Sequence, residues 1–262
     1  MNASRAQCSE IAKALGRAKK DRAPIPSLED TFPGLTEEDA YEIQFTTAAS
    51  ALTEGHRLVG YKVGLTSREA QKQFRVFKPD FGHLFDDMAI LEEEEITLSR
   101  LIQPRIEGEL AFVLKDDLTG PGVTIVDVMS AVDFMTVVLE IVDSRIRDWK
   151  ISAVDTIADN GSSALFVLSG TKKSCDGIEL RNVGMALSRN GEVTVTGAGA
   201  AVMGNPLSPL VFLANELGKS GRSLKAGEVI LSGSFSSMLS IKSNDFFTCE
   251  MGGIGRVSVR FK

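Results

Sequence analysis

The stretch QPRIEGELAFVL, Gln103 to Leu114, places two acidic side chains one residue apart inside a run that otherwise reads as a buried strand. Side chains of a strand alternate faces at about 3.3 Å per residue, so Glu107 and Glu109 share a face roughly 6.6 Å apart while Gly108 turns the other way. Such a pair belongs either on the open, solvated side of a sheet or around a cation, because like charges taken out of water drive each other's pKa upward. A second run, TVVLEIVDSR over 136–145, sets Glu140 among Val137, Val138, Leu139, Ile141 and Val142. A strand of that composition is normally covered on both faces, and an acid inside it needs a partner. Three carboxylates on two apolar strands therefore favour one metal centre, with open positions left for water or substrate. The ion is expected to be hard, Mg2+ or Mn2+, with Ca2+ the weaker alternative.

Outward from these strands, short β-branched runs bounded by Gly, Asp, Asn and Pro predict further strands over 58–65, 163–168, 185–189, 192–196, 228–232, 239–242, 246–251 and 256–261. Asn190-Gly191 supplies the positive φ angles of a type I′ hairpin. Helical spacing of Cys8, Ile11, Ala12, Leu15 and Ala18, closed by Lys19, Lys20 and Arg22, predicts a first helix; Thr36 with Asp39 caps a second that runs to Gly55. Between them, APIPSLEDTFPG reads as an extended connector. Two later helices are expected over 125–133 and 208–219. Many strands with few interspersed helices indicate an α+β protein with a large mixed sheet rather than a regularly alternating α/β fold. The division expected is a helical N-terminal segment over 1–56 and a metal-binding domain over 57–262.

The 262 residues contain no apolar run long enough for a membrane span, and the charged N-terminus lacks the apolar centre of a secretory signal, so a cytoplasmic protein is expected. A net charge of −6 disfavours nucleic acid as a partner. Three widely spaced cysteines without a CxxC argue against a disulfide framework and a zinc site, and two histidines cannot build a multi-histidine one. The run Glu92 to Glu95 reads as a solvated turn. TGAGAAVMGNP, Thr196 to Pro206, is no dinucleotide fingerprint, since it follows a hairpin and lacks the βαβ context; a flexible segment near the substrate fits better.

Five motifs together, GYKVGLTS (Gly60 to Ser67), KPDFGHLFDDM (Lys78 to Met88), QPRIEGELAFVL, LEIVDSRIRDWKI (Leu139 to Ile151) and VDTIADNGSS (Val154 to Ser163), resemble the 2-oxopent-4-enoate hydratase and 4-oxalocrotonate decarboxylase family of the fumarylacetoacetate hydrolase superfamily. The resemblance covers nearly the whole chain. It implies a mixed β-roll, commonly in closed homo-oligomers, with Glu107, Glu109 and Glu140 on a divalent ion. PDFGHLF and DSRIRDW look more like the hydratases. One departure is Gly108, where relatives often carry Ala or another small residue; it points away from the metal. The implied reaction adds water to a 2-hydroxy-2,4-dienoate, giving a 4-hydroxy-2-oxo acid in meta-cleavage degradation of aromatic compounds. Alternatives are decarboxylation of a 2-oxo-3-enedioate and a non-catalytic scaffold. A complex with a pathway aldolase or decarboxylase is a further expectation.

Two proton transfers need acid and base groups near the diene. Lys62, inside an apolar strand, is the first candidate; beside a cation its pKa should be lowered, and the competing reading is a lysine reaching the surface from an edge strand. Asp80 reads by composition as a turn residue, whereas the motif match supports a base or water-orienting carboxylate on a loop over the site. Ser162 and Ser234, in glycine-rich turns, are candidates to receive the substrate carboxylate. Arg145 and Arg147 either support the site or make ion pairs, and His83 is a candidate to assist on the same loop as Asp80.

Overall fold

The computed structural model describes residues 2–74, 76, 78–92 and 94–262. Thirteen strands are β1 Leu58–Gly64, β2 Asp80–Phe85, β3 Ala89–Ile90, β4 Glu95–Ile96, β5 Arg105–Leu114, β6 Val132–Val142, β7 Ser163–Leu168, β8 Gly184–Arg189, β9 Glu192–Ala198, β10 Val229–Leu231, β11 Leu239–Ser240, β12 Phe246–Met251 and β13 Gly255–Phe261. They form two mixed sheets. The larger runs β2-β1-β10-β5-β6-β7-β3, with β11 also on β5; the smaller runs β4-β13-β12-β8-β9. Helices are α1 Arg5–Asp21, α2 Leu28–Thr31, α3 Glu37–Thr53, α4 Arg68–Phe74, α5 Ile125–Ala131, α6 Ala153–Ala158 and α7 Ser208–Lys219. The fold is the expected α+β arrangement.

Pleating decides which residues meet. On one face of the large sheet Ile106, Leu110, Phe112, Leu139 and Ile141 join Met185, Leu187, Phe247 and Val257 of the small sheet and Leu210, Leu213 and Leu217 of α7 in the main core. Gly108 lies on this face, where a Cβ would stand 2.6 Å from the Met185 sulfur and 2.7 Å from that of Cys249. The opposite face carries Glu107, Glu109 and Glu140, and beyond them the apolar residues Ala111, Val138, Phe166, Val229 and Leu231, which pack with Ala48 of α3. The three acids therefore interrupt an otherwise apolar surface.

The N-terminal helices do not float free of this frame. Cys8, Ile11 and Leu15 of α1 and Ala40 and Ile43 of α3 share a core with Ile146 and with Ile157 and Ala158 of α6. Buried Gln44 donates to the carbonyls of Phe81 at 2.8 Å and Ile157 at 2.7 Å. Capping boxes at Thr36/Asp39, Thr124/Asp127 and Ser152/Asp155 start α3, α5 and α6; each such cap contributes on the order of 1 kcal/mol. The Asn190-Gly191 hairpin has φ of 53° and 88°, as a type I′ turn requires.

Several elements differ from expectation. The connector contains a helical turn, α2, because buried Asp155 takes the Leu28 amide at 2.6 Å and the Ser27 hydroxyl at 2.8 Å. Helix α5 stops at Ala131, and β6 starts at Val132, where the backbone turns extended. Glu93 lies outside the described residues; Glu94 and Glu95 are exposed, while Glu92 accepts from the Ser258 amide at 2.9 Å. All three cysteines are free, with Cys8 and Cys249 buried.

Candidate active site

Antiparallel pairing of β5 with β6 sets Glu107 directly opposite Glu140 and Glu109 opposite Val138. Carboxylate oxygens of Glu107, Glu109 and Glu140 lie within 4.8 Å of one another. Both Glu140 oxygens are buried without a hydrogen-bond donor, while Glu109 accepts from the Gly233 amide at 2.7 Å. That amide is aimed by the left-handed backbone at Gly233, φ +101°, where a Cβ would also strike the Thr66 side chain at 2.2 Å. Burial and the neighbouring Glu140 push Glu107 up to about 7, and burial with Glu140 and Glu107 raises Glu109 well above the carboxylate range. Orphaned buried oxygens and an all-carboxylate donor set fit a hard divalent cation, which would satisfy the lone pairs and relieve the repulsion together. A second group, His56 with Asp86 and Asp87, is surface-lying and made of loose 3.7 Å ion pairs.

Lys62 stands on β1 between β2 and β10, an interior strand, so the edge-strand alternative fails. Its ammonium is buried, donates to the Gly161 carbonyl at 3.0 Å and lies 3.5 Å from Glu140 Oε2. The lowered pKa expected of it concerns the site with a cation bound; in the chain alone two influences compete. Burial pulls the pKa down, but Glu140, Asp80, Glu107 and Glu109 outweigh burial and hold the ammonium above its ordinary value. In the chain's own field, Lys62 is therefore a fixed cation.

Asp80 opens β2 and is no turn residue: it pairs with Gly64 across the β1–β2 ladder. The absence of a side chain at Gly64 makes this possible, since a Cβ there would sit 2.2 Å from Asp80 Oδ1. One Asp80 oxygen accepts from the Thr156 hydroxyl at 3.0 Å, and the other, buried, has no donor. Burial raises the Asp80 pKa, with Lys62 and Thr156 pulling it back.

A cavity of about 470 Å³ opens onto this group; Lys62, Asp80, Glu107, Ser162 and Ser234 all line it. The Ser162 hydroxyl donates to Asp159 at 3.1 Å and that of Ser234 to the Ser236 carbonyl at 2.7 Å. Ala201, from the glycine-rich segment, also lines it. His83 does not. It is three residues from Asp80 on an all-buried strand, so it faces the other side, among Phe45, Tyr61, Phe81 and Phe85. Nor does Arg145, whose guanidinium is spent on Asp159 and on the carbonyls of Asp143 at 2.8 Å and Ser163 at 3.1 Å. Arg147 is exposed and reaches the Pro24 carbonyl at 3.4 Å. Sequence reasoning missed Arg105, Trp149 and Thr156, which line the cavity. Arg105 could have been found by the same alternation that grouped the glutamates; Thr156 carries no local signal.

An acid trio beside a buried lysine, reached from a cavity through Glu107, Lys62 and Asp80, has the donor chemistry of a metal-assisted enzyme site. Residues 56–262 match the model of the fumarylacetoacetate (FAA) hydrolase C-terminal family, and the chain belongs to that family. It is 46% identical over 256 residues to the 2-keto-4-pentenoate hydratase of Paraburkholderia xenovorans strain LB400, covering 98% of this chain and 95% of that protein. It is 41% identical over 249 residues to the 2-hydroxyhexa-2,4-dienoate hydratase of Comamonas testosteroni, covering 94% of each. The 4-oxalocrotonate decarboxylase of Pseudomonas putida G7, solved with magnesium and adipate, superposes with a TM-score of 0.97 at 34% identity, covering 100% of this chain and 99% of the other. No helix of the described residues is long and apolar enough to cross a membrane.

Proposed function

We propose that the chain is a divalent-metal-dependent hydratase that converts a 2-hydroxy-2,4-dienoate, through its 2-oxo tautomer, to a 4-hydroxy-2-oxo acid. The observation that carries this reading is the convergence of Glu107 with Glu109 and Glu140, where Glu107 shares one cavity with Lys62 and Asp80, in a chain 46% identical to a 2-keto-4-pentenoate hydratase. Glu107, Glu109 and Glu140 would hold the ion, Mg2+ or Mn2+. When bound, it supplies a Lewis acid that polarises the 2-oxo group.

Lys62, held protonated by the surrounding acids, opposes negative charge developing on the substrate's 2-oxygen. Asp80 presents its unpartnered Oδ1 to the chain of the diene and carries the protons. In the first half the 2-hydroxyl loses a proton and C5 gains one, giving the 2-oxo-3-enoate. In the second, a water oxygen bonds to C4, its proton passes to Asp80, and C3 takes a proton. Ser162 and Ser234 line the walls, and Arg145 acts as a brace that fixes the Asp159–Ser162 turn behind Lys62 rather than as a ligand of the substrate. A homo-oligomeric form belongs to the same proposal, supported by Val126 and Met129, 66% and 64% exposed on α5.

Magnesium-dependent loss of dienol absorbance from 2-hydroxypenta-2,4-dienoate, with product analysis and a carbon dioxide assay alongside, tests the proposal. A 4-hydroxy-2-oxo product without carbon dioxide is expected. Carbon dioxide release from a 2-oxo-3-enedioate without hydration would replace it with decarboxylation, the activity named for the P. putida structural relative.

A further inference from the structure

Among the cavity's lining residues there are two cations, Lys62 and Arg105, and they are differently placed. Lys62 is committed to the acids around it and to the Gly161 carbonyl. Arg105 is not. Among the described residues its guanidinium has one hydrogen-bond acceptor, the Met238 sulfur at 3.6 Å, and no carboxylate within ion-pair distance; Glu107 attracts it through space without a hydrogen bond. It lies flat over the Trp149 indole, 4.4 Å from the ring centroid. Arg105 also precedes Glu107 by one strand repeat, so both project from the same face of β5.

The tryptophan beneath it is held by a strained turn. Asp148 and Trp149 both sit at positive φ, 58° and 55°. Left-handed backbone at two successive non-glycine residues, one of them aromatic, is unfavourable and persists only where surrounding contacts over-determine it. Gln103 supplies those contacts: its carbonyl accepts from the indole Nε1 at 2.9 Å, its Oε1 from the Asp148 amide at 3.1 Å, and its Nε2 donates to the carbonyls of Ser144 at 2.9 Å and Ile146. One residue thus ties the start of the Glu107 strand to the turn that follows the Glu140 strand. The contacts that keep the strain in place are the ones that hold the indole face under the guanidinium.

We propose that Arg105, laid on Trp149, is the receptor for the C1 carboxylate of the substrate. This rests on the proposed oxo-acid chemistry and names the residue that fixes the substrate's orientation. A planar guanidinium stacked on an aromatic face keeps its fork of N–H donors free for a carboxylate and loses little freedom on binding it. Placed next to the glutamate trio, the fork takes the acid group nearest the 2-oxygen, while Lys62 faces the 2-oxygen itself. The remainder of the substrate then extends toward Asp80.

Pyruvate is the smallest probe of this arrangement, with pyruvamide as its uncharged counterpart. Calorimetric titration of the magnesium-loaded protein is expected to show that Arg105→Gln weakens pyruvate about 10- to 100-fold while leaving pyruvamide unchanged. Arg105→Lys, which keeps charge but not the planar fork, should fall between wild type and Arg105→Gln. Trp149 is the chain's one tryptophan, so its fluorescence reports pyruvate binding directly in wild type. A magnesium-induced rise in melting temperature retained by Arg105→Gln verifies that fold and metal site survive. Unchanged pyruvate affinity in both variants overturns the proposal, as does equal weakening of pyruvamide. A loss confined to dicarboxylates, with monocarboxylic dienoates turned over at wild-type KM, overturns it too. Pyruvate binding needs no turnover, so a wild-type chain that hydrates no dienoate would remove the hydratase reading and leave this one standing.

Discussion

Replacing His83 with phenylalanine tests the placement of this histidine away from the chemistry. The imidazole is 5.2 Å from the Tyr61 ring and 5.6 Å from that of Phe45, and its Nδ1 is buried without a partner. Burial drives its pKa down from 6.5 to about 4. Between those values the unfolded chain binds a proton that the folded chain refuses, so the penalty is absent above pH 6.5 and complete below the folded pKa. With the two values so far apart, wild type loses about 2.5 kcal/mol from this one group between pH 7 and pH 4.5. Phenylalanine does not titrate, and any overpacking cost it brings is the same at both pH values and drops out of the comparison. Urea unfolding of both proteins at the two pH values should therefore show the variant gaining about 2.5 kcal/mol on wild type in acid, roughly 5–10 °C in melting temperature for a chain of this length. Turnover at pH 7 should persist. A stability difference identical at pH 7 and 4.5 would refute the dry aromatic setting, and loss of turnover in the folded variant would return His83 to the active site.

Three further outcomes are expected. Glu109→Gln should abolish metal-dependent turnover and the magnesium-induced rise in melting temperature while the circular dichroism spectrum stays native; retained turnover would remove Glu109 as a ligand. Thr156→Val takes from Asp80 its one hydroxyl donor, which favours the carboxylate, so the Asp80 pKa should rise and the acidic limb of the kcat/KM profile should move to higher pH, with Thr156→Ser restoring it. Gly108→Ala should cost about 1–3 kcal/mol in urea titration, because the added Cβ would stand 2.6 Å from the Met185 sulfur and 2.7 Å from that of Cys249.

The features legible in sequence were those that repeat along a strand or helix. Alternation alone put Glu107 and Glu109 on one face, and helical spacing gave the buried stripe of α1 from Cys8 to Ala18. What alternation could not give was the identity of neighbours across strands. The opposition of Glu107 and Glu140 follows from the β5–β6 register, and the Thr156 hydroxyl meets Asp80 across 76 positions. Asp80 read as a turn residue because Pro79 and Gly82 punctuate the segment. In fact Gly82 is there to admit a backbone: a Cβ would stand 2.3 Å from the Asn160 carbonyl oxygen. His83 was drawn toward the site by proximity in sequence, and the pleat of β2 sends it to the opposite face. Arg145 makes an ion pair, the second of the two roles its sequence allowed, and the choice was not legible because its partner Asp159 comes from the α6 turn.

The sign of the Lys62 shift bears on how the site is built. A lysine in an apolar strand should lose its proton, yet four carboxylates surround it and hold the proton on. Glu107 and Glu109, conversely, are pushed toward the neutral acid because Lys62 cannot compensate all of them. The cluster is thus short of positive charge, and a divalent cation would supply it: binding one favours the ionised forms of Glu107 and Glu109. Placing this unbalanced group on interior strands, with a large apolar core on the sheet's other face, keeps the acids from splaying into solvent to relieve their repulsion. The same rigidity holds Asp80 and Lys62 at fixed separations from the trio, which is what proton transfer along a short conjugated acid requires.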